Sequence, residues 1–253
     1  MAHDHAHAHA HAHAHAHDHF DRHRNPVEFG RYLEKLEGPD REAWQKPDRL
    51  IAAFGLRPGD VACDVGAGPG YLALRMARAV GTGGEVYAID VEPRMVEALR
   101  RRAREAGMKN IRAILAMPGR GALPPRRCHL ILIVNTFHHF PDGAAYLRGL
   151  ASRLVPGGRI VVVDFHRREL PVGPPIEHKV SRADFLAVAR EAGLERIRER
   201  RFLPYQYFVE LAPVSAPGRR RGAPKGKESA PARSRPRGRR APAAPRRAAR
   251  SPR

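Results

Sequence analysis

Val61-Ala62-Cys63-Asp64-Val65-Gly66-Ala67-Gly68-Pro69-Gly70 is the stretch that decides the fold. Its first half is a short apolar run interrupted by a single acid. Its second half sets three glycines at alternate positions, and an apolar-periodic segment, Tyr71 to Val80 (YLALRMARAV), follows. A strand running through a glycine turn into a helix accounts for that order. Glycine tolerates positive φ and lets the backbone approach a ligand closely, while the amides at a helix start face whatever sits there. The spacing is Gly66-x-Gly68-x-Gly70, with Asp64 two residues before the first glycine. It therefore departs from the dinucleotide fingerprint G-x-G-x-x-G.

Outward from this stretch the same alternation continues. Gly81, Gly83 and Gly84 close the first helix. Glu85 to Asp90 reads as a second strand, and Pro93 to Ala106 as a helix whose Met95, Val96, Leu99 and Ala103 form one stripe, stopped by Gly107. Ile111 to Ala116, Leu130 to Asn135 and Arg159 to Asp164 read as further strands. The runs LILIV and IVVVD are continuously apolar, as strands covered on both faces are. Gly143 to Leu154 reads as a helix closed by the turn Pro156-Gly157-Gly158. A Pro-rich loop, Leu170 to Pro175, then leads to a helix capped by Ser181 with Asp184 three residues on. Strand-like runs at 194–200 and 206–211 complete the pattern. Strands alternating with helices predict an α/β fold: a Rossmann-like three-layer sandwich with a mostly parallel seven-stranded sheet and a terminal antiparallel strand.

The ends differ in kind from this middle. Histidine occupies every odd position from His3 to His19, and beyond Gly218 the chain holds little but Arg, Pro, Ala, Gly, Ser and Lys. Neither composition builds a core, so both ends read as disordered extensions. The organisation is then a His-rich tract (1–23), a helical lead-in (24–44), an α/β domain (45–212) and a basic tail (213–253). The net charge of +20 sits mostly in the tail, where fourteen Lys or Arg face Glu228 alone between Gly218 and Arg253. A solvated extension and a sequence-independent contact with nucleic acid or another polyanion both fit such a tail. The two cysteines, Cys63 and Cys128, have no C-x-x-C spacing and lie in apolar runs, which reads as buried free thiols in a reducing, cytoplasmic compartment. No stretch has the 18 consecutive apolar residues of a membrane span.

Asp90 ends the second strand 20 residues after Gly70, where a carboxylate can accept both hydroxyls of a ribose. Strand, acid, glycine turn, helix, strand, acid: this order resembles the class I S-adenosylmethionine (SAM)-dependent methyltransferases, with DVGAGPG and VYAIDVEPRM as the segments that carry the resemblance. LVPGGRIVVVDF looks like that family's turn into its fifth strand, and the likeness covers about residues 45–212. The resemblance assigns Asp64 and the backbone at Gly66 and Gly68 to the amino-acid part of SAM, Asp90 to its ribose and Val91 to its adenine, with Ala67, Gly70, Met117 and Asn135 completing the cofactor set. Where relatives often carry an acid after the third strand, this chain has Ala116-Met117-Pro118-Gly119. His129 stands where many begin the fourth strand with Asp. A dinucleotide-binding or inactive relative, with Asp64 a helix cap and Asp90 a strand end, is the alternative.

Methyl transfer is an in-line displacement, so alignment and exclusion of water are the main tasks, and a base is needed only where the nucleophile must lose a proton. The ends of strands four and five supply Asn135, Thr136, His138, His139, Asp164 and His166. Of these, His138 and His139 are the candidate catalytic bases, with packing or hydrogen bonding as their other reading. The absence of Asn-Pro-Pro-Tyr argues against a nucleic-acid amino-methyltransferase, and two cysteines are too few for arsenite methylation. The resemblance is closest to the small-molecule branch that includes the ubiquinone/menaquinone methyltransferases, so a small-molecule methyl acceptor is expected. Separately, His3, His5, His7, His9, His11, His13, His15, His17 and His19 offer ligands to Zn, Ni, Cu or Co, a metal the chemistry does not need. A nucleic-acid-associated protein led by its tail and a metal-binding protein led by its tract are the competing function classes.

Overall fold

The structure is a computed structural model that describes residues 26–116, 123 and 127–214. The His tract, Met117 and the basic tail lie outside the described residues. Three proline-led helices come first: α1 (Pro26–Glu37), α2 (Pro39–Gln45) and α3 (Pro47–Phe54). Proline suits each start because its missing N–H is one that a first helical turn leaves unpaired anyway. Then follow β1 (Val61–Val65), α4 (Ala73–Val80), β2 (Glu85–Asp90), α5 (Pro93–Glu105), β3 (Ile111–Leu115) and β4 (Cys128–Val134). The chain closes with α6 (Gly143–Ala151), β5 (Leu154–Phe165), α7 (Arg182–Glu191), β6 (Leu194–Arg200) and β7 (Gln206–Pro213).

The seven strands form one sheet in the order β3-β2-β1-β4-β5-β7-β6. Strands β1 to β5 pair in parallel, and β7 runs antiparallel between β5 and β6. From β1 the chain builds outward one way through β2 and β3, then returns to place β4 on the other side of β1. That reversal is a topological switch point, where the loops at the carboxyl ends diverge and leave a crevice. Alternate residues of the central strands feed two cores. Ala62, Leu130, Leu132, Val161 and Val163 pack with α3 and α4 on one face. Val65, Ile131, Ile133, Val162 and Val209 pack with α6 and α7 on the other.

Two local readings differ from the sequence-based expectation. Strand β5 begins at Leu154, so Pro156-Gly157-Gly158 lies within it as an irregularity: Leu154 pairs with Cys128 and Arg159 already pairs with Leu130. Gly157 takes φ +82°, the left-handed conformation that suggested a turn, while strand pairing resumes on either side. Cys63 and Cys128 are not free thiols but a disulfide, with Cα atoms 6.4 Å apart. They lie on adjacent strands and in the same core, within the separation that a disulfide spans. The expectation of a reducing compartment loses the support that free thiols gave it. Among the described residues no helix is long and apolar enough to cross a membrane.

Candidate functional site

Asp64 is the fourth residue of β1 and is 3% exposed. Burial, with Asp90 nearby, pushes its carboxyl up to about 7 against the pull of Arg41. A carboxyl held at such cost at a strand end is a place where a cation repays the desolvation. The loop beyond it turns through Gly66 (φ +74°), Gly68 (φ +55°) and Gly70 (φ +91°). These glycines do different work. A Cβ on Gly66 would collide with Thr136, and one on Gly70 would stand 2.8 Å from Leu99 Cδ1, so Gly70 admits helix α5 rather than a ligand. At Gly68 a Cβ would meet no atom within 4 Å. The loop amides are occupied, contrary to the expectation that they face a ligand: Gly66 and Ala67 donate to the Ile89 carbonyl at 2.8 and 3.0 Å, and Gly68 donates to Asp90 Oδ2 at 2.7 Å. What the loop offers is room, under a carboxyl.

Asp90 ends β2, and its Oδ1 accepts a second backbone N–H, from Glu92 at 2.9 Å. Burial raises its pKa while these amides pull it down. Val91 and Leu115, at the carboxyl ends of neighbouring strands, are 42% and 44% exposed. Two apolar side chains left open at the end of β2 and β3 suit the faces of an aromatic base.

Three residues of this site escaped sequence reasoning. The Arg41 guanidinium lies 4.1 Å from the centre of the Tyr71 ring, on which Arg75 also stacks at 4.4 Å. Burial lowers its pKa to about 10, while Tyr71, Asp64 and Tyr32 favour its charge. Tyr32 of α1 has its pKa raised by burial and by Asp90, and the Tyr71 hydroxyl is buried with no hydrogen-bond partner among the described residues. Helices α1 and α2 thus bring a cation beside Asp64. Helix α1 is fastened over the loop by Arg102, which pairs with Glu37 and donates to the Pro69 carbonyl at 3.1 Å. No motif marks these positions; a basic residue in an amphipathic lead-in was the sole signal. An acid (Asp64), a cation (Arg41), a second buried carboxyl (Asp90) and two open apolar side chains (Val91, Leu115) thus gather at the carboxyl ends of β1, β2 and β3.

Across the crevice, Asn135 follows β4 with φ +54°, a conformation that costs most residues energy and that Asn tolerates. Its amide oxygen accepts from Gln206 Nε2 at 2.5 Å. His138 is nearly buried, and its Nδ1 lies 3.2 Å from Asp164 Oδ2. Asp164 Oδ1 accepts the Phe165 amide at 2.8 Å. A carboxylate at Nδ1 keeps the proton there and leaves Nε2 of the neutral ring as a base. His139 is exposed, its ring 4.2 Å from that of His138. His129, unexplained by sequence, accepts the Val61 amide on Nδ1 at 3.0 Å and so satisfies the first N–H of β1 at the far end of the sheet. Among the described residues no three His, Cys, Asp or Glu are placed to hold a metal ion.

Fold and crevice define a Rossmann-like α/β domain shaped for a nucleoside-bearing cofactor. The chain belongs to the methyltransferase domain family, whose model matches residues 56–197. It is 32% identical over 162 residues to the 27-O-demethylrifamycin SV methyltransferase of Amycolatopsis mediterranei, covering 58% of each chain. It is 28% identical over 156 residues to the protein-L-isoaspartate O-methyltransferase of Aeropyrum pernix, covering 60% of this chain and 52% of that one. The chain therefore spans little more than half the length of these relatives. A solved SAM-dependent methyltransferase of Aquifex aeolicus superposes with a TM-score of 0.68 at 27% identity, over 71% of this chain and 96% of that one.

Proposed function

We propose that this chain transfers the methyl group of SAM to a small molecule at the carboxyl ends of β4 and β5. The observation that carries this is the buried Asp64 carboxyl, coupled electrostatically to the Arg41 guanidinium and followed by a glycine loop with open space at Gly68. An opposed pair of charges at one end of the crevice suits a zwitterionic amino-acid group, and Asp90 with Val91 suits the nucleoside at the other. The rifamycin-methylating relative supports a small acceptor. Calorimetry tests the reading: the full chain binds SAM, and Asp90→Ala weakens binding by roughly 1–3 kcal/mol through loss of a charged acceptor. No detectable binding at millimolar SAM would falsify it.

His138 is the residue of the two histidines that this reading makes the base, with Asp164 holding its ring; His139 flanks it. Such a base serves an acceptor that must shed a proton, of which a hydroxyl is the simplest. Once an acceptor is in hand, His138→Gln lowers kcat by about 10²–10⁴-fold while SAM affinity stays near native. A kcat within threefold of native would leave His138 as a packing residue.

Two further roles rest on the sequence alone, in segments outside the described residues. The tract His3–His19 binds a divalent metal, Zn, Ni, Cu or Co, apart from the chemistry. The tail from Gly218 contacts polyanions such as nucleic acid. A cytoplasmic location, proposed with them, is compatible with a disulfide whose two cysteines are 0% exposed, because buried sulfurs are shielded from attacking thiols.

A further inference from the structure

Two glutamines from opposite ends of the domain meet in the interior with no role in the reading above. Gln45 ends α2 and Gln206 begins β7; they are 0% and 2% exposed. Gln45 Oε1 accepts from Arg41 Nε. Gln45 Nε2 faces Gln206 Oε1 at 3.5 Å, and Gln206 Nε2 donates to Asn135 Oδ1 at 2.5 Å. The direction of this chain is forced at its start. A guanidinium has donors and no acceptor, so it must take the oxygen of Gln45. With that oxygen turned to Arg41, the Gln45 nitrogen is the atom that lies toward Gln206, whose own nitrogen lies toward Asn135. With its oxygen turned to Gln206, Asn135 is left with its amide nitrogen on the opposite branch.

The two ends of the chain lie on either side of the same place. Arg41 is coupled electrostatically to Asp64, and the residue after Asn135, Thr136, closes against Gly66. Asp64 and Gly66 are the residues assigned to the amino-acid end of SAM.

We propose that Gln45 and Gln206 are positioning residues for SAM: a one-way hydrogen-bond relay from Arg41 that fixes the Asn135 amide with its N–H donors toward an oxygen of the amino-acid end of the cofactor. This rests on the function proposed above. A relay of this kind makes cofactor binding depend on β7, a strand on the far side of β5 from the glycine loop. A merely structural pair of buried amides would instead affect stability alone.

The test is calorimetry with SAM on the full chain, native first, then Asn135→Ala, Gln206→Leu and the two combined, with Tm recorded for each. Because Gln206 acts through Asn135, each single change weakens SAM about 5- to 20-fold, and the combination is no weaker than the worse single within about twofold. Gln206→Glu keeps shape and still accepts from Gln45, yet its carboxylate cannot donate to Asn135. It shows the same loss, and it carries the test if Gln206→Leu fails to fold. Affinities within twofold of native in both Gln206 variants would overturn the relay, as would losses that multiply in the combination. A native chain that fails to bind SAM would overturn the underlying function, and the first titration separates that outcome from the others.

Discussion

Asp64 is a buried carboxyl whose proton bears on the proposed site. An ordinary aspartate is ionised at neutral pH, whereas burial and the neighbouring Asp90 bring this one up to about 7. The sign of the consequence follows. Below pH 7 the cofactor-free chain keeps the proton, and an incoming ammonium must displace it, so SAM affinity falls by up to about tenfold for each pH unit below 7 and levels off above. Calorimetry in buffers of different ionisation enthalpy reads the released proton, and Asp64→Asn binds weakly with no such slope. Stability runs the other way. A carboxyl whose pKa is raised on folding disfavours the native state as pH rises from the ordinary carboxylate range through 7. Asp64→Asn therefore stabilises the cofactor-free chain at pH 8, on the order of 1–3 kcal/mol, and scarcely at pH 4. Arg41 opposes the rise, so Arg41→Ala moves the affinity profile to higher pH as well as weakening SAM. An unmoved profile in that variant would separate Arg41 from Asp64.

At the scale of elements, the glycine turn divides fold from function. Gly66 has positive φ and a Thr136 side chain where its Cβ would stand, whereas Gly68 has positive φ and open space. Gly66→Ala therefore loses on the order of 1–3 kcal/mol of stability. Gly68→Ala costs about 1 kcal/mol for its left-handed backbone, keeps the fold, and loses SAM by filling the room reserved for it; thermal melts set beside titrations separate the two. This turn was legible in the sequence because spacing along the chain dictates it. So were β2, β4 and the core of β5, whose unbroken apolar runs leave few alternatives to a covered strand. The start of β5 was not, since Pro156-Gly157-Gly158 reads as a turn unless the opposite register at Cys128 and Leu130 is known. The disulfide was hidden for the same reason: 65 residues separate its cysteines, and only the crossing that puts β4 beside β1 joins them. Of the residues at the carboxyl ends of β1 and β2, motif position singled out Asp64, Asp90 and Val91 in advance, and the strand ends are where the structure places them. Arg41 and Gln206, and the pairing of Asp164 with His138, connect positions more than 20 residues apart in the chain, and no local pattern encodes that.

For the whole molecule, the charge and the chemistry lie in different places. The tail from Gly218 carries +13, residues 1–23 carry −2, and the stretch between them carries +9. The site is built from buried groups of both signs within the described residues. Deletion of the tail and of the tract tests each apart from the site. Removing residues 218–253 flattens the salt dependence of RNA or DNA binding and leaves SAM affinity as it was; an equal salt slope in both chains would remove the polyanion role. The tract calls for a different readout. Nine alternating histidines offer ligands at high density, and imidazole binds a metal only when neutral, so affinity for Zn or Ni falls steeply as pH drops below about 6.5. The tract ends at His19, whereas β1 starts at Val61 and Asp64 and Asp90 lie beyond it. Deleting residues 1–23 therefore abolishes most metal binding while SAM affinity and turnover stay within about threefold, a change of less than about 1 kcal/mol. A chain that loses turnover on this deletion, or on chelation, while still binding SAM would show that the histidines belong to the working site.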